Sequence, residues 1–214
     1  TRTNSGSGSS GTTRRLSSAT QRSKQQVRPN SVKNKAGASM AAESSAMIET
    51  RARHAEYSVL RERIVEHIFV GEVMRRLWQL GVLNVEILRA EFDASGYDLV
   101  MCCGSVMRHV QFKVSLVDGA RAQVTINQQL AHARSGCVVW LGVTEALEIT
   151  EYRWFGAEPG RPLPDITNHA TARHARANAQ GIKAERANQR VLKKGEFERL
   201  ADLDETLHRL FGRL

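Results

Sequence analysis

An acid, an amide and an amine, Asp98, Gln111 and Lys113, stand among the apolar residues of "GYDLVMCCGSVMRHVQFKVS", Gly96 to Ser115. The stretch reads as two short strands joined by a tight turn. In the second of them Val110, Phe112 and Val114 face one side, and Gln111, Lys113 and Ser115 the other. Gln111 and Lys113 therefore project together, and Asp98, opening the strand before, falls beside them across the hairpin. An acid, a carbonyl oxygen donor and an ammonium gathered at one end of a sheet form either a site or an ordinary solvated face.

The elements around the hairpin weigh on that choice. Residues 47–80 carry a helical pattern, with Leu60, Ile64, Ile68, Gly71, Met74 and Trp78 three or four apart in one apolar stripe, and Gly81 as the stop. "VLNVEILRAEF" is a first strand, "DASG" a turn, "YDLVMCC" a second strand, "GSVM" a turn and "RHVQFKVSL" a third strand. "INQQLAHAR" reads as a short helix, and "CVVWLGV" is a continuous apolar run suited to a strand buried on both faces. The order from 47 to 143 is helix, three strands, helix, strand, which predicts an α/β domain with a mixed central sheet flanked by helices.

That order, with Asp98 in "YD" and Gln111, Phe112 and Lys113 in "QFK", resembles the PD-(D/E)xK, or restriction-endonuclease-like, nuclease superfamily. Its core is helix, three strands, helix, strand; an acid begins the second strand and a (D/E)xK tripeptide lies in the third. Many members add a glutamate on the first helix, for which Glu72 in "VGEVMRRLWQLG" is the first candidate and Glu66 the second. The likeness covers about 50–145, with Tyr97 where the family often has proline and Gln111 where it usually has an acid. It implies a DNA nuclease of restriction, repair or phage-defence type that hydrolyses phosphodiester bonds with Mg2+ or Mn2+. Asp98, Gln111 and Glu72 would hold the metal, and Lys113 would orient or deprotonate the attacking water. An amide oxygen binds magnesium but is neutral, so Gln111 also motivates a second reading, a nucleic-acid-binding module of the same fold without the chemistry. A third is an α/β domain that binds a partner and has an accidental polar hairpin.

Charge supports a polyanion partner. The 214 residues carry a net +9. Residues 1–45 hold eight Lys and Arg against Glu43 alone, so +7 lies in a Ser/Gly-rich tail that is expected to be disordered, and the remainder is nearly balanced. A second basic run holds Arg173, Arg176, Lys183, Arg186, Arg190, Lys193 and Lys194 and is read as a phosphate-contacting surface, in competition with plain solvation. Thr167 or Asn168 starts a helix over about 169–180, "NQRVLKKGEF" is an edge strand, and "FERLADLDETLHRLFG" is a closing helix. Residues 46–214 thus form one domain, with a core at about 50–145 and a helical extension at 146–214. DNA is the expected partner, RNA stays open, and a homodimer fits the same reading.

Other chemistries find little support. Cys102, Cys103 and Cys137 are an odd count in apolar runs, so reduced, buried thiols and a cytoplasmic setting are expected. No Cys/His spacing suits zinc, and His169 and His174 are five apart rather than four. Ser105 and Ser115 lack the pattern of a hydrolase triad, and "GAEPG" lacks the lysine of a phosphate-binding loop. Gln128 or Gln129 offers a polar contact to phosphates, with a solvated face as its rival. Trp140, Tyr152 and Trp154 are read as core. No apolar run is long enough to span a bilayer, and the first residues lack the apolar stretch of a signal peptide.

Overall fold

The computed structural model describes residues 45–89, 95–174, 181 and 183–214. The basic tail and Arg176 lie outside them. Residues 45–56 are helical and lead through Tyr57 into helix α1, Ser58–Gln79. Gly81, at φ +75°, ends α1 as its spacing predicts, and the Val82 N–H returns to the Leu77 carbonyl. Strands β1 (Val85–Arg89), β2 (Leu99–Cys103) and β3 (Val106–Leu116) then form an antiparallel meander. Gly104, with φ +58°, makes the two-residue β2–β3 turn possible.

β4 (Gln123–Asn127) and a 3-10 turn, Gln128–His132, lead into β5 (Gly136–Val143), which pairs parallel to β3. "INQQLAHAR" is therefore the last two residues of β4 followed by the 3-10 turn, not an α-helix. The Asn127 side chain takes the Gln129 N–H, a local bond that competes with helical pairing. β5 is buried along its whole length, as its unbroken apolar run predicts. β6 (Ile149–Gly156) and β9 (Glu198–Leu200) complete a six-stranded sheet in the order β1-β2-β3-β5-β6-β9. β7 (Thr171–Arg173) and β8 (Glu185–Lys193) join β4 in a second sheet, ordered β4-β8-β7.

The extension is thus mostly strand, with one helix, α2 (Leu203–Phe211), instead of the helical extension expected. The proposed helix over 169–180 begins as β7, with 175–180 outside the described residues. β8 is a central strand of its small sheet rather than an edge, since β4 and β7 pair with its two sides. The α/β class and the mixed central sheet stand as expected. Among the described residues no helix is long and apolar enough to cross a membrane. All three cysteines are free thiols, and Cys103 and Cys137 are buried.

Two cores lie on the two faces of the large sheet. On one, Val110, Phe112 and Val114 pack against α1 and α2, with the Phe112 and Phe69 rings edge to face at 5.3 Å. On the other, Val138 and Trp140 meet Ile126 of β4 and Leu192 of β8. The side of α1 turned to the sheet is Val65, Phe69, Val73 and Leu77. The stripe read from the sequence is another side of this helix, and Leu60, Met74 and Trp78 on it are exposed. α1 is apolar on two sides, and spacing alone does not say which one meets a sheet.

A buried cation binds the layers together. Arg108 of β3 is fully buried, and its guanidinium donates to the carbonyls of Arg209 and Leu210 at 2.6 and 2.7 Å, in the last turn of α2. It also donates to the Ala157 carbonyl at 2.7 Å and to Ser135 Oγ at 3.2 Å, and lies 5.1 Å from the centre of the Trp154 ring. Carbonyls at a helix C-terminus lack partners of their own and carry the negative end of the helix dipole. Arg108→Ala should therefore cost about 3 kcal/mol or more, because it strands several buried acceptors. Arg108→Lys should recover only part of this, lacking the planar fork. Urea unfolding midpoints read both, and an unchanged midpoint for Arg108→Ala would refute the role.

Candidate active site

β3 is longer than β2. The β2–β3 ladder runs from Cys103↔Val106 to Leu99↔Val110, whereas the β3–β5 ladder continues to Leu116↔Val143. Beyond Val110 the β2 side of β3 has no strand beside it, and its backbone groups need other partners. Side chains supply them. Asp98 Oδ2 accepts the Phe112 N–H at 2.6 Å, while the Asp98 N–H donates to the Val110 carbonyl at 2.9 Å. Further along, Arg121 Nη1 donates to the Val114 carbonyl at 3.2 Å. The Asp98 carboxylate is thus aimed at the open end of the hairpin by a backbone bond.

Asp98 is held there by the segment before it. Gly96 has φ +77°, and a Cβ on it would stand 2.6 Å from the Asn127 Cβ. Only glycine combines that backbone with that contact. The Asn127 N–H donates in turn to Gln111 Oε1 at 3.4 Å. Gln111 is 5% exposed, so its amide is part of the packing between β3 and β4. Lys113 follows two residues on, half-buried, on the same side of β3 and beside Trp140 in the β3–β5 register. Gln111 and Lys113 share a face as expected, and Asp98 lies one position beyond the ladder pair next to Gln111.

Of the two helix acids, Glu66 is set close enough to Asp98 for the Asp98 charge to act on it. Glu66 is 6% exposed and accepts from Arg63 Nη1 at 2.8 Å and from Arg89 Nη1 at 3.2 Å. Burial pushes its carboxyl above the ordinary range, the charge of Asp98 pushes the same way, and the two arginines pull back only in part. Glu72 is six residues further along, about 240° around the helix. It is near Tyr152, whose phenol is pushed up to about 12 by burial and then by the charges of Glu72 and Asp202.

Arg63 and Arg89 border Glu66. Arg61 of α1 lies close enough to Arg121 to feel its charge. Burial is the first cause holding the Arg61 guanidinium below its ordinary range, and Arg121 adds to it against the pull of Glu62. No sequence signal marks either pairing, because α1, β1 and the segment after β3 contribute the arginines separately. The basic run sought in the sequence is instead divided. Arg173 pairs with Glu185 at 3.7 Å and Lys194 with Glu151 at 3.1 Å. Strand alternation in β8 sends Lys193 and Arg190 to opposite faces, Arg186 lies across an irregularity in the β7–β8 register, and Lys183 is exposed before that strand. Gln129 uses its backbone N–H on Asn127.

Among the described residues no three His, Cys, Asp or Glu side chains converge as a ready metal cage. The donor types nevertheless suit Mg2+ or Mn2+, which take oxygen ligands from one or two carboxylates and keep several waters. Asp98 and Glu66 are two carboxylates near enough that the charge of one disfavours the charge of the other, a condition that a bound cation relieves. Gln111 has its carbonyl oxygen turned to Asn127, which leaves the two acids as the principal holders. No protein-family model and no curated protein matches this chain.

Two outcomes follow from this geometry. Because the folded pKa of Glu66 is raised, its contribution to stability is complete below the unfolded pKa and is lost as pH rises through the folded value. At neutral pH in chelator, Glu66→Gln should melt no lower than wild type and up to about 2–4 °C higher, about 1 kcal/mol, and the wild-type decline with rising pH through the Glu66 titration should flatten. Calorimetry from acid to neutral pH checks both, and a Glu66→Gln chain that melts well below wild type would refute the raised pKa. Gly96→Ala combines a positive φ with a clash and should cost about 1–3 kcal/mol. Chemical unfolding measures it, and a cost near zero would show that the Gly96–Asn127 contact does not hold the segment.

Proposed function

We propose that this chain is a metal-dependent nuclease that hydrolyses phosphodiester bonds in DNA at the open end of the β2–β3 hairpin. The observation that carries the reading is the approach of Glu66 from α1 to Asp98 at the start of β2, with Lys113 on the neighbouring strand. Helix acid, strand acid and strand lysine in this order correspond to the elements of the PD-(D/E)xK pattern. Arg63 and Arg89 supply positive charge beside Glu66, where a phosphate backbone would be neutralised.

The roles follow from the side chains. Asp98, fixed by the Phe112 N–H, and Glu66, fixed by two arginines, would hold Mg2+ or Mn2+. When bound, such an ion supplies Lewis-acid stabilisation of a phosphoryl oxygen and makes a coordinated water more acidic. Lys113 offsets charge on the phosphate and orients the attacking water, a service that matters most in the transition state. Gln111 keeps the strand in place under Asn127 rather than contributing charge.

A second reading has its own observation. Gln111 is neutral, buried and turned to a backbone N–H, so one acid that the pattern normally provides is missing. On that reading the chain binds nucleic acid through its basic border and does not cut it.

Incubation of the purified chain with duplex, single-stranded and branched DNA under Mg2+ or Mn2+ separates the two. Cleavage is expected with metal and none with chelator. Asp98→Ala should abolish it. Lys113→Ala should slow it by about 100-fold or more while leaving DNA retention largely intact, as befits a general acid–base or electrostatic group. Gln111→Glu should preserve or raise the rate. A wild type inert on every DNA and RNA form, with no gain from Gln111→Glu but salt-sensitive retention of DNA, would overturn the nuclease and leave the binding module.

A further inference from the structure

A cavity of about 350 Å³ lies where β3 and β5 begin, bordered also by the loop after β6. This is at the small end of the roughly 300–1,000 Å³ of small-molecule sites. Its polar lining offers donors and no carboxylate. Ser135 is 2% exposed, and its Oγ already accepts from Arg108 Nη1 at 3.2 Å and from the Gly160 N–H at 3.0 Å. Both lone pairs are then taken, and its proton has no acceptor among the described residues. The Nδ1 of His109 is buried without a partner. An unbonded buried N–H costs more than an unbonded lone pair, so the ring proton belongs on Nε2. Burial also pushes this ring below its ordinary value, towards the neutral form. Arg134 is exposed and makes no hydrogen bond or ion pair among the described residues.

A buried charge stands behind this lining. The acceptors of Arg108 are all neutral, carbonyls and the Ser135 hydroxyl. Glu158, the carboxylate that acts on it, has a side chain 77% exposed. A hydroxyl that accepts from a guanidinium donates more strongly in turn. Arg108, Ser135 and a group in the cavity would form one chain of bonds, through which the buried cation gains an anion.

We propose that this cavity binds a phosphate monoester with a flat apolar body, of the size of a nucleoside monophosphate, its phosphate held by Ser135, His109 and Arg134. A phosphate monoester carries about −1.5 to −2 at neutral pH, which matches two arginines and no lining acid. Its terminal oxygens accept from several directions, whereas a carboxylate accepts in one plane. Val106, Met107 and Pro159 make the rest of the wall apolar, and a methionine adapts to a flat ring. The same chemistry occurs on a free nucleotide and at the 5′ end of a nucleic-acid chain. None of the lining residues belongs to the candidate active site, so the proposal does not rest on the nuclease reading.

Isothermal titration calorimetry of the full chain in chelator tests this, with adenosine 5′-monophosphate, adenosine and inorganic phosphate as probes. The monophosphate should bind with a Kd of about 100 µM or tighter, and the other two at least about 10-fold more weakly. Arg134→Glu, an exposed change, should keep the fold by circular dichroism and weaken the monophosphate about 10-fold or more, and Ser135→Ala should weaken it similarly. Arg75→Glu, equal in charge but outside the cavity, should bind as wild type does. A trinucleotide with a 5′ phosphate, compared with its 5′-hydroxyl form, separates the two sources. Phosphate-dependent binding tighter than that of the free monophosphate assigns the site to a chain end, and weaker binding assigns it to the free nucleotide. No binding of the monophosphate at about 5 mM overturns the proposal. So does binding that is indifferent to Arg134→Glu, lost equally in Arg75→Glu, or matched by adenosine or inorganic phosphate.

Discussion

A β-strand that outruns its neighbour must still satisfy its backbone, and β3 does so with side chains. Past Val110 its N–H and C=O groups on the β2 side go to Asp98 and Arg121 rather than to a strand. That requirement gathers polar residues where a sheet would otherwise continue. The Asp98 carboxylate is oriented because it completes a backbone bond, and Gly96 is a glycine because the segment that delivers Asp98 runs against Asn127. The candidate site is thus a by-product of unequal strand lengths.

The other end of β3 meets the opposite problem, a buried charge in need of acceptors. Arg108 finds them in the C-terminal carbonyls of α2 and in the loop after β6, and so joins helix, loop and sheet through one side chain. Lone buried cations are costly, but a guanidinium whose donors all reach oxygens, at the negative end of a helix, is not alone. The two ends of one strand therefore differ: one anchors the layers through Arg108, and the other holds the candidate site near Asp98. The thiols take no part in the latter. Burial pushes Cys137 up to about 12, so a thiolate there is out of reach at neutral pH.

The acids of the candidate site are kept at some expense. Burial and the charge of Asp98 both oppose ionisation of Glu66, with Arg63 and Arg89 as partial relief. Groups selected for stability alone would be neutral at that position, which is why a perturbed carboxylate beside a second acid is a sign of function. On the far face the second core shows the contrasting case. Trp140 donates to Ser115 at 2.9 Å, and Lys194 stands 5.8 Å from the centre of its ring while pairing with Glu151, an arrangement satisfied within itself.

Much of the chain was legible without coordinates where the signal is local. The unbroken apolar run of β5 announced a strand covered on both faces, alternation put Gln111 and Lys113 on one side of β3, and Gly81 and Gly104 marked a stop and a turn. What failed was non-local. α1 is apolar on two sides, and only the sheet beneath it decides that Val65 and Phe69 are core while Met74 and Trp78 are not, and that Glu66 comes near Asp98. β4 and β8 became partners across some sixty residues, so neither "INQQLAHAR" nor the segment from 169 onward could reveal its strand by periodicity. The two arginines on Glu66 come from separate elements, and their meeting exists only once α1 and β1 have packed. Local patterns depend on a residue and its near neighbours, whereas burial, strand pairing and charge proximity depend on what the rest of the chain brings alongside.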